Sequence, residues 1–131
     1  ILVTTTPVRE PLVMSEWVQE GTHINAIGAD AKGKEELDPR LLMRATVIVD
    51  DMLQASRSGE VNVPLSMGMI TAKDICCELG EIVAGIRPGR QSDDEITVFD
   101  STGLAVQDMV TANMVYRKAL EQGIGQNIRM F

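Results

Sequence analysis

An α/β fold with parallel strands is what the sequence predicts, and three observations carry it. Short β-branched runs recur along the chain, segments with helix caps and helical spacing separate them, and most of the runs are continuously apolar. A continuous apolar run suits a strand covered on both faces, the usual state of a parallel strand. Residues 1–5 form the first such run, which stops at Thr6-Pro7, where proline removes a ladder donor. After a polar turn and a short helical stretch at 15–19, residues 22–27 alternate and run into Gly28, as a second strand would. Asp38-Pro39 opens a helix with an acidic cap and proline at its first position, followed by Leu41, Leu42 and Ala45 at helical spacing. Thr46-Val47-Ile48-Val49 is the third strand and ends at Asp50-Asp51. A helical stretch to Ser58 and a polar loop come next, and then a helix from a cap at Thr71 through Ala84, with Gly85 as its stop. Residues 95–99 give the fourth strand. A long helix over 103–122, with Val106, Met109, Val110 and Leu120 on one side, closes at Gly123.

The 131 residues fit one domain, and a composition of 44% hydrophobic and 24% charged residues is that of a chain that folds. A net charge of −7 with no basic cluster argues against nucleic acid as a partner. No apolar run approaches the roughly 18 to 20 residues that span a bilayer. The first residues have neither the charged start of a signal peptide nor an initiator Met, so Ile1 is expected to lie inside a longer chain. Cys76 and Cys77 are adjacent, a pair that staples no loop, so a reduced, cytoplasmic setting is expected. The single histidine, His23, lies inside a strand and is read as structural; with no second cysteine pair, no metal is expected. The eight methionines read as core filler, and Glu35-Glu36 and Asp93-Asp94-Glu95 as solvated loop and cap residues.

Open parallel sheets bind ligands beyond the carboxyl ends of their strands, so the informative residues follow each strand. Thr4-Thr5-Thr6 offers hydroxyls to a ribose or an amide, and is also what a capped turn before Pro7 looks like. Gly28-Ala29-Asp30-Ala31-Lys32-Gly33-Lys34 allows close backbone approach and sets an acid near two lysines, although acidic glycine-rich loops are commonly plain turns. Asp100-Ser101-Thr102-Gly103 stands at a helix start, either as an ordinary cap or as a seat for a polar ligand group.

Taken in order, the segments 21–30 (GTHINAIGAD), 33–38 (GKEELD), 79–85 (LGEIVAG) and 97–108 (TVFDSTGLAVQD) resemble the signature of the ornithine cyclodeaminase/µ-crystallin family. The last matches its F-x-S-x-G-x-A-x-x-D pattern, and the resemblance covers nearly the whole chain. It implies the second half of a Rossmann-type NAD(P)-binding domain over 1–101. Over 102–131 it implies a C-terminal helical segment that returns to a substrate and dimerisation domain. The family's Gly-rich pyrophosphate turn, its ribose-gripping acid and its substrate-binding arginine and lysine would all precede Ile1.

At matching positions, the resemblance sets Asp30 beside the nicotinamide and the substrate, as the acid/base proposed for the cyclodeaminases. It also implies that Ile27 and Gly28 lie along the cofactor by backbone contact, with Thr5 and Thr6 near the nicotinamide ribose. Lys34 falls near the cofactor end of its loop, Ser101 by the carboxamide and Thr102 on the substrate side. µ-Crystallin lacks an acid at the position of Asp30, which favours the enzymatic branches. GADxxGKxELD and FDSTGLAxQD are closer to the archaeal-type alanine dehydrogenases than to the cyclodeaminases. The implied reaction is oxidation of a small amino acid at its α-carbon by hydride transfer to NAD, with NADP left open, giving an imine that water opens to release ammonia. Ornithine cyclodeamination to proline and ammonia is the first alternative, and a non-catalytic NADP-binding protein like µ-crystallin the second. The chain alone is expected to bind dinucleotide weakly, to be inactive, and to associate as a homodimer or other homo-oligomer through uncovered apolar surface.

Overall fold

A computed structural model describes residues 1–126 and 128, so residues 127 and 129–131 of the expected C-terminal segment lie outside the described residues. Five strands, β1 (Leu2–Thr4), β2 (His23–Ala26), β3 (Thr46–Val49), β4 (Ile75–Glu78) and β5 (Thr97–Asp100), form one sheet in the order β1-β2-β5-β3-β4, with every pairing parallel. The α/β class with a parallel sheet is therefore as the sequence predicts. The strand ends are level: Thr4 pairs with Ala26, Ala26 with Asp100, Asp100 with Val49, and Val49 with Glu78. Five connecting loops thus leave the sheet along one straight edge.

The helices are α1 (Pro39–Leu42), α2 (Met52–Ser58), α3 (Asn62–Ser66), α4 (Leu79–Val83) and α5 (Ala105–Gln122). Ile24, Ala26, Val47, Val49 and Val98 share one sheet face by register, and they are buried in a cluster with Leu41 and Leu42 of α1, Ala55 of α2 and Val61. The opposite face departs from the expected double cover. Ile48 and Cys77 are buried there, but Val3 is 55% exposed and Asn25 and Phe99 are half-buried. Strand β1 also leaves one edge unpaired.

Two elements differ from the sequence reading. The helix expected over 71–84 is a turn, then β4, then the short α4. Thr71 does cap, but the turn it starts is local: its N–H and hydroxyl both donate to Asp74 Oδ2, at 2.7 and 2.8 Å. Ile75 and Cys77 are both buried, Ile75 beside Val47 on the core face and Cys77 beside Ile48 on the other because the register shifts between them, and the capping box that starts the real helix is Glu78 with Glu81. The loop expected after Ser58 contains α3, where Pro64 sits in the first turn and forfeits no helical bond. Among the described residues no helix is long and apolar enough to cross a membrane.

The cap read at Asp38 is present, since its carboxylate accepts Arg40 N–H at 2.9 Å and also reaches Ser15 N–H at 3.4 Å. The Arg40 guanidinium bonded to it holds the carboxyl down to about 2. Asp38→Ala is expected to cost about 1 to 2 kcal/mol, read as a lowered midpoint in urea at unchanged slope. An unchanged midpoint would show that solvent replaces the cap. At the other end of the chain, α5 ends as expected at Gly123, whose φ of +64° suits glycine. No residue of α5 is buried, and Val106, Met109, Val110, Met114, Tyr116 and Leu120 are all exposed.

Candidate functional site

Each residue singled out from the sequence follows a strand end on the level edge. Thr5 and Thr6 extend from β1, Ile27 and Gly28 from β2, and Ser101 and Thr102 from β5. Backbone bonds stitch the first turns of these loops together: Ile27 N–H donates to Thr4 carbonyl at 2.9 Å, and Ser101 N–H to Ala26 carbonyl at 2.9 Å. Thr5 and Ile27 are exposed, while Thr6, Gly28, Ser101 and Thr102 are half-buried. His23, left without a role, shares a hydrogen bond between Nδ1 and Thr97 Oγ1 at 2.7 Å.

Asp30 and Lys34 form an ion pair through Oδ1 and Nζ. The hydrogen bond from Lys34, aided by its charge, holds the Asp30 carboxyl below the usual carboxylate range, so Asp30 is an anion at neutral pH. Its side chain is 64% exposed against 18% for Lys34, so the acid faces open space while the cation is tucked into the loop. An anionic, exposed carboxylate at the end of a parallel strand can hold an ammonium group.

The loops are held from beneath by carboxylates that sequence reasoning missed. Glu36, read as a solvated loop residue, is fully buried. Its Oε1 accepts Thr6 N–H and, at 2.7 Å, Thr6 Oγ1, while Oε2 accepts Gly28 N–H at 2.9 Å. Glu60, also fully buried, accepts the N–H groups of Glu36 and Leu37 on Oε1 at 2.8 and 2.6 Å. Asp100 accepts Val61 N–H at 3.1 Å, and Asp50 accepts Thr102 N–H, Thr102 Oγ1 and Gly103 N–H at 2.6, 2.8 and 2.9 Å. The Thr102 hydroxyl thus spends its proton on Asp50 and keeps its lone pairs. Burial pushes Glu60 up to about 8 and Asp100 up to about 7. One oxygen of each, Glu60 Oε2 and Asp100 Oδ1, is buried without a hydrogen-bond partner. No periodicity marks these acids, because backbone N–H groups satisfy them, and loop N–H groups leave no trace in a sequence.

The model of the ornithine cyclodeaminase/mu-crystallin family matches residues 1–123. The chain is 54% identical over 131 residues to the alanine dehydrogenase of Archaeoglobus fulgidus, covering all of this chain and 41% of that protein. An archaeal alanine dehydrogenase dimer with bound NAD superposes with a TM-score of 0.90 at 53% identity, over 99% of this chain and 41% of that one. The Δ1-pyrroline-2-carboxylate reductase of Thermococcus litoralis, solved with NADH and L-proline, gives a TM-score of 0.89 at 40% identity, over 97% and 40%. The chain therefore spans about two fifths of the length of the relatives it matches. With its sheet, its level loop edge and its 33–38 and 97–108 motifs on that edge, it belongs to the ornithine cyclodeaminase/mu-crystallin family.

Proposed function

We propose that this chain supplies the nicotinamide side of the dinucleotide site in an NAD-dependent amino acid dehydrogenase of the alanine dehydrogenase kind. The observation that carries the reading is the level row of strand ends with the Asp30–Lys34 pair standing open beyond it. The hydroxyls of Thr5 and Ser101 as donors, with the Thr6 hydroxyl lone pairs and the Ile27 carbonyl as acceptors and no side chain at Gly28, suit a ribose and a carboxamide, which need both donors and acceptors at short range. When bound, NAD supplies the hydride acceptor. Asp30 then faces the amino group of the substrate, Lys34 keeps it anionic, and Thr102 offers its lone pairs on the substrate side.

Residues 1–101 would be the second half of the Rossmann-type domain. The open edge of β1 and the part-covered face bearing Val3, Asn25 and Phe99 would receive the remainder. The segment 102–131 would return to a substrate and dimerisation domain, in keeping with the uncovered apolar side of α5. The free thiols of Cys76 and Cys77 accord with a reduced, cytoplasmic setting.

The full-length polypeptide carrying this sequence is expected to reduce NAD with L-alanine and not with ornithine. Turnover of ornithine alone, or of neither, would remove the reading. A second reading, reduction of an imino acid by NADH, is favoured by the likeness to the Thermococcus reductase and predicts turnover of Δ1-pyrroline-2-carboxylate instead. The 131-residue chain by itself is expected to bind NAD with a Kd above about 1 mM, because the Gly-x-Gly-x-x-Gly turn that seats a pyrophosphate on a helix N-terminus does not occur in its sequence. Calorimetric titration with light scattering checks this, and tight binding by a monodisperse monomer would contradict it.

A further inference from the structure

We propose that Glu36 is a positioning residue of this edge: its buried carboxylate fixes the loop after β1 and the loop after β2 at the spacing that the nicotinamide side of the cofactor requires. The inference rests on the dinucleotide reading above.

The two loops part company soon after the sheet ends. After the Ile27 N–H to Thr4 carbonyl bond, no backbone bond joins them until Leu12 and Val13 N–H reach the Glu36 carbonyl. In that interval, Thr6 and Gly28 are joined through one carboxylate, which takes two donors from Thr6 on Oε1 and one from Gly28 on Oε2. Thr6 lies thirty residues from Glu36 in sequence and Gly28 lies eight, so this single side chain ties a distant loop to the start of its own.

Glu36 is anchored within its own loop at both its N–H and its carbonyl. Its N–H and that of Leu37 go to Glu60, and its carbonyl accepts Leu12 and Val13 N–H at 2.7 and 3.0 Å. The loops must therefore conform to the carboxylate. No Lys or Arg pairs with Glu36 among the described residues, so its carboxyl oxygens rest on those three donors. Space is equally restrictive, since a Cβ on Gly28 would stand 2.6 Å from Glu36 Cδ.

Glutamine at this position keeps the volume and one acceptor oxygen, but turns an N–H₂ group toward Gly28 N–H, donor against donor. Aspartate keeps the charge but falls one methylene short of spanning both loops. The test uses the full-length polypeptide carrying this sequence, titrated with NADH and followed by its fluorescence, with thermal melts alongside. For both Glu36→Gln and Glu36→Asp the expected result is a Kd raised about tenfold or more at an unchanged number of binding sites. Melting temperature is expected to stay within roughly 5 °C of the wild type. Variants that bind NADH as tightly as the wild type overturn the inference. So does a loss of binding sites at unaltered Kd, which is what a purely structural defect gives. Should neither variant fold, Thr6→Val, which removes one donor to the carboxylate at constant volume, is titrated in their place, and wild-type affinity there has the same force. A wild type that does not bind NADH at all overturns the dinucleotide reading itself, a result none of the variants can mimic.

Discussion

Gly28→Ala is expected to lower stability by about 3 kcal/mol and to abolish ligand binding at the strand edge. The added Cβ would lie 2.3 Å from Thr6 carbonyl oxygen, 2.5 Å from Thr6 nitrogen and 2.6 Å from Glu36 Cδ. Two of these are backbone atoms of a neighbouring strand's loop, and the third belongs to a carboxylate anchored on three donors, so no neighbour can swing aside. Relief requires the β1 and β2 loops to separate, which breaks the Gly28 N–H bond to Glu36. Chemical denaturation gives the stability change, and NADH titration of the full-length polypeptide gives the binding. A variant of wild-type stability would show that the two loops are not packed as described.

Stability should fall steeply as pH rises from about 5 to 9, by on the order of several kcal/mol. Glu60 and Asp100 titrate in the fold near 8 and 7, well above their ordinary carboxylate values. A group whose folded pKa is raised contributes stability that is whole below its unfolded pKa and is lost as pH climbs through the folded one. The groups that face them deepen the effect: Asp100 and Glu36 stand near Glu60, and Asp50 near Asp100, every one an acid. Glu60 Oε2 and Asp100 Oδ1 are buried without hydrogen-bond partners, so in the ionised forms these oxygens would carry charge that nothing offsets. Asp100→Asn should therefore match the wild type in melting temperature near pH 5 and exceed it near pH 9. Parallel melting curves for the two proteins across that range would show that Asp100 is already ionised in the folded chain.

Much of this architecture was legible because local and global signals agreed. Asp38-Pro39 before Leu41 and Leu42 states a helix start in four residues, and Thr46–Val49 is too β-branched to be much else. Strand β4 was lost because four residues with an irregular register cannot outweigh a capping threonine upstream and a glycine stop downstream. Both signals were real, but they belonged to a turn and to a shorter helix. The positions on the strand edge could be read because a parallel sheet sends its ligand residues to one end. The acids underneath could not. Glu36 and Glu60 have the polarity of surface residues, and only the folded path of the loops brings N–H groups to them from thirty and twenty-four residues away.

Strand β5 is the last of the five in sequence and the middle one in space. Without residues 97–100, β1-β2 and β3-β4 are separate pairs, each showing a bare edge to a gap one strand wide. Two unsatisfied ladders then face that gap, and any stray extended segment could fill the slot first. Thr97, Val98 and Asp100 are buried and bonded on both sides, so once the proper strand enters, it locks both pairs in register in one step. Assembly of this sheet is thereby timed by its final strand, and a pause in synthesis before residue 97 would be the moment of greatest exposure to misassembly.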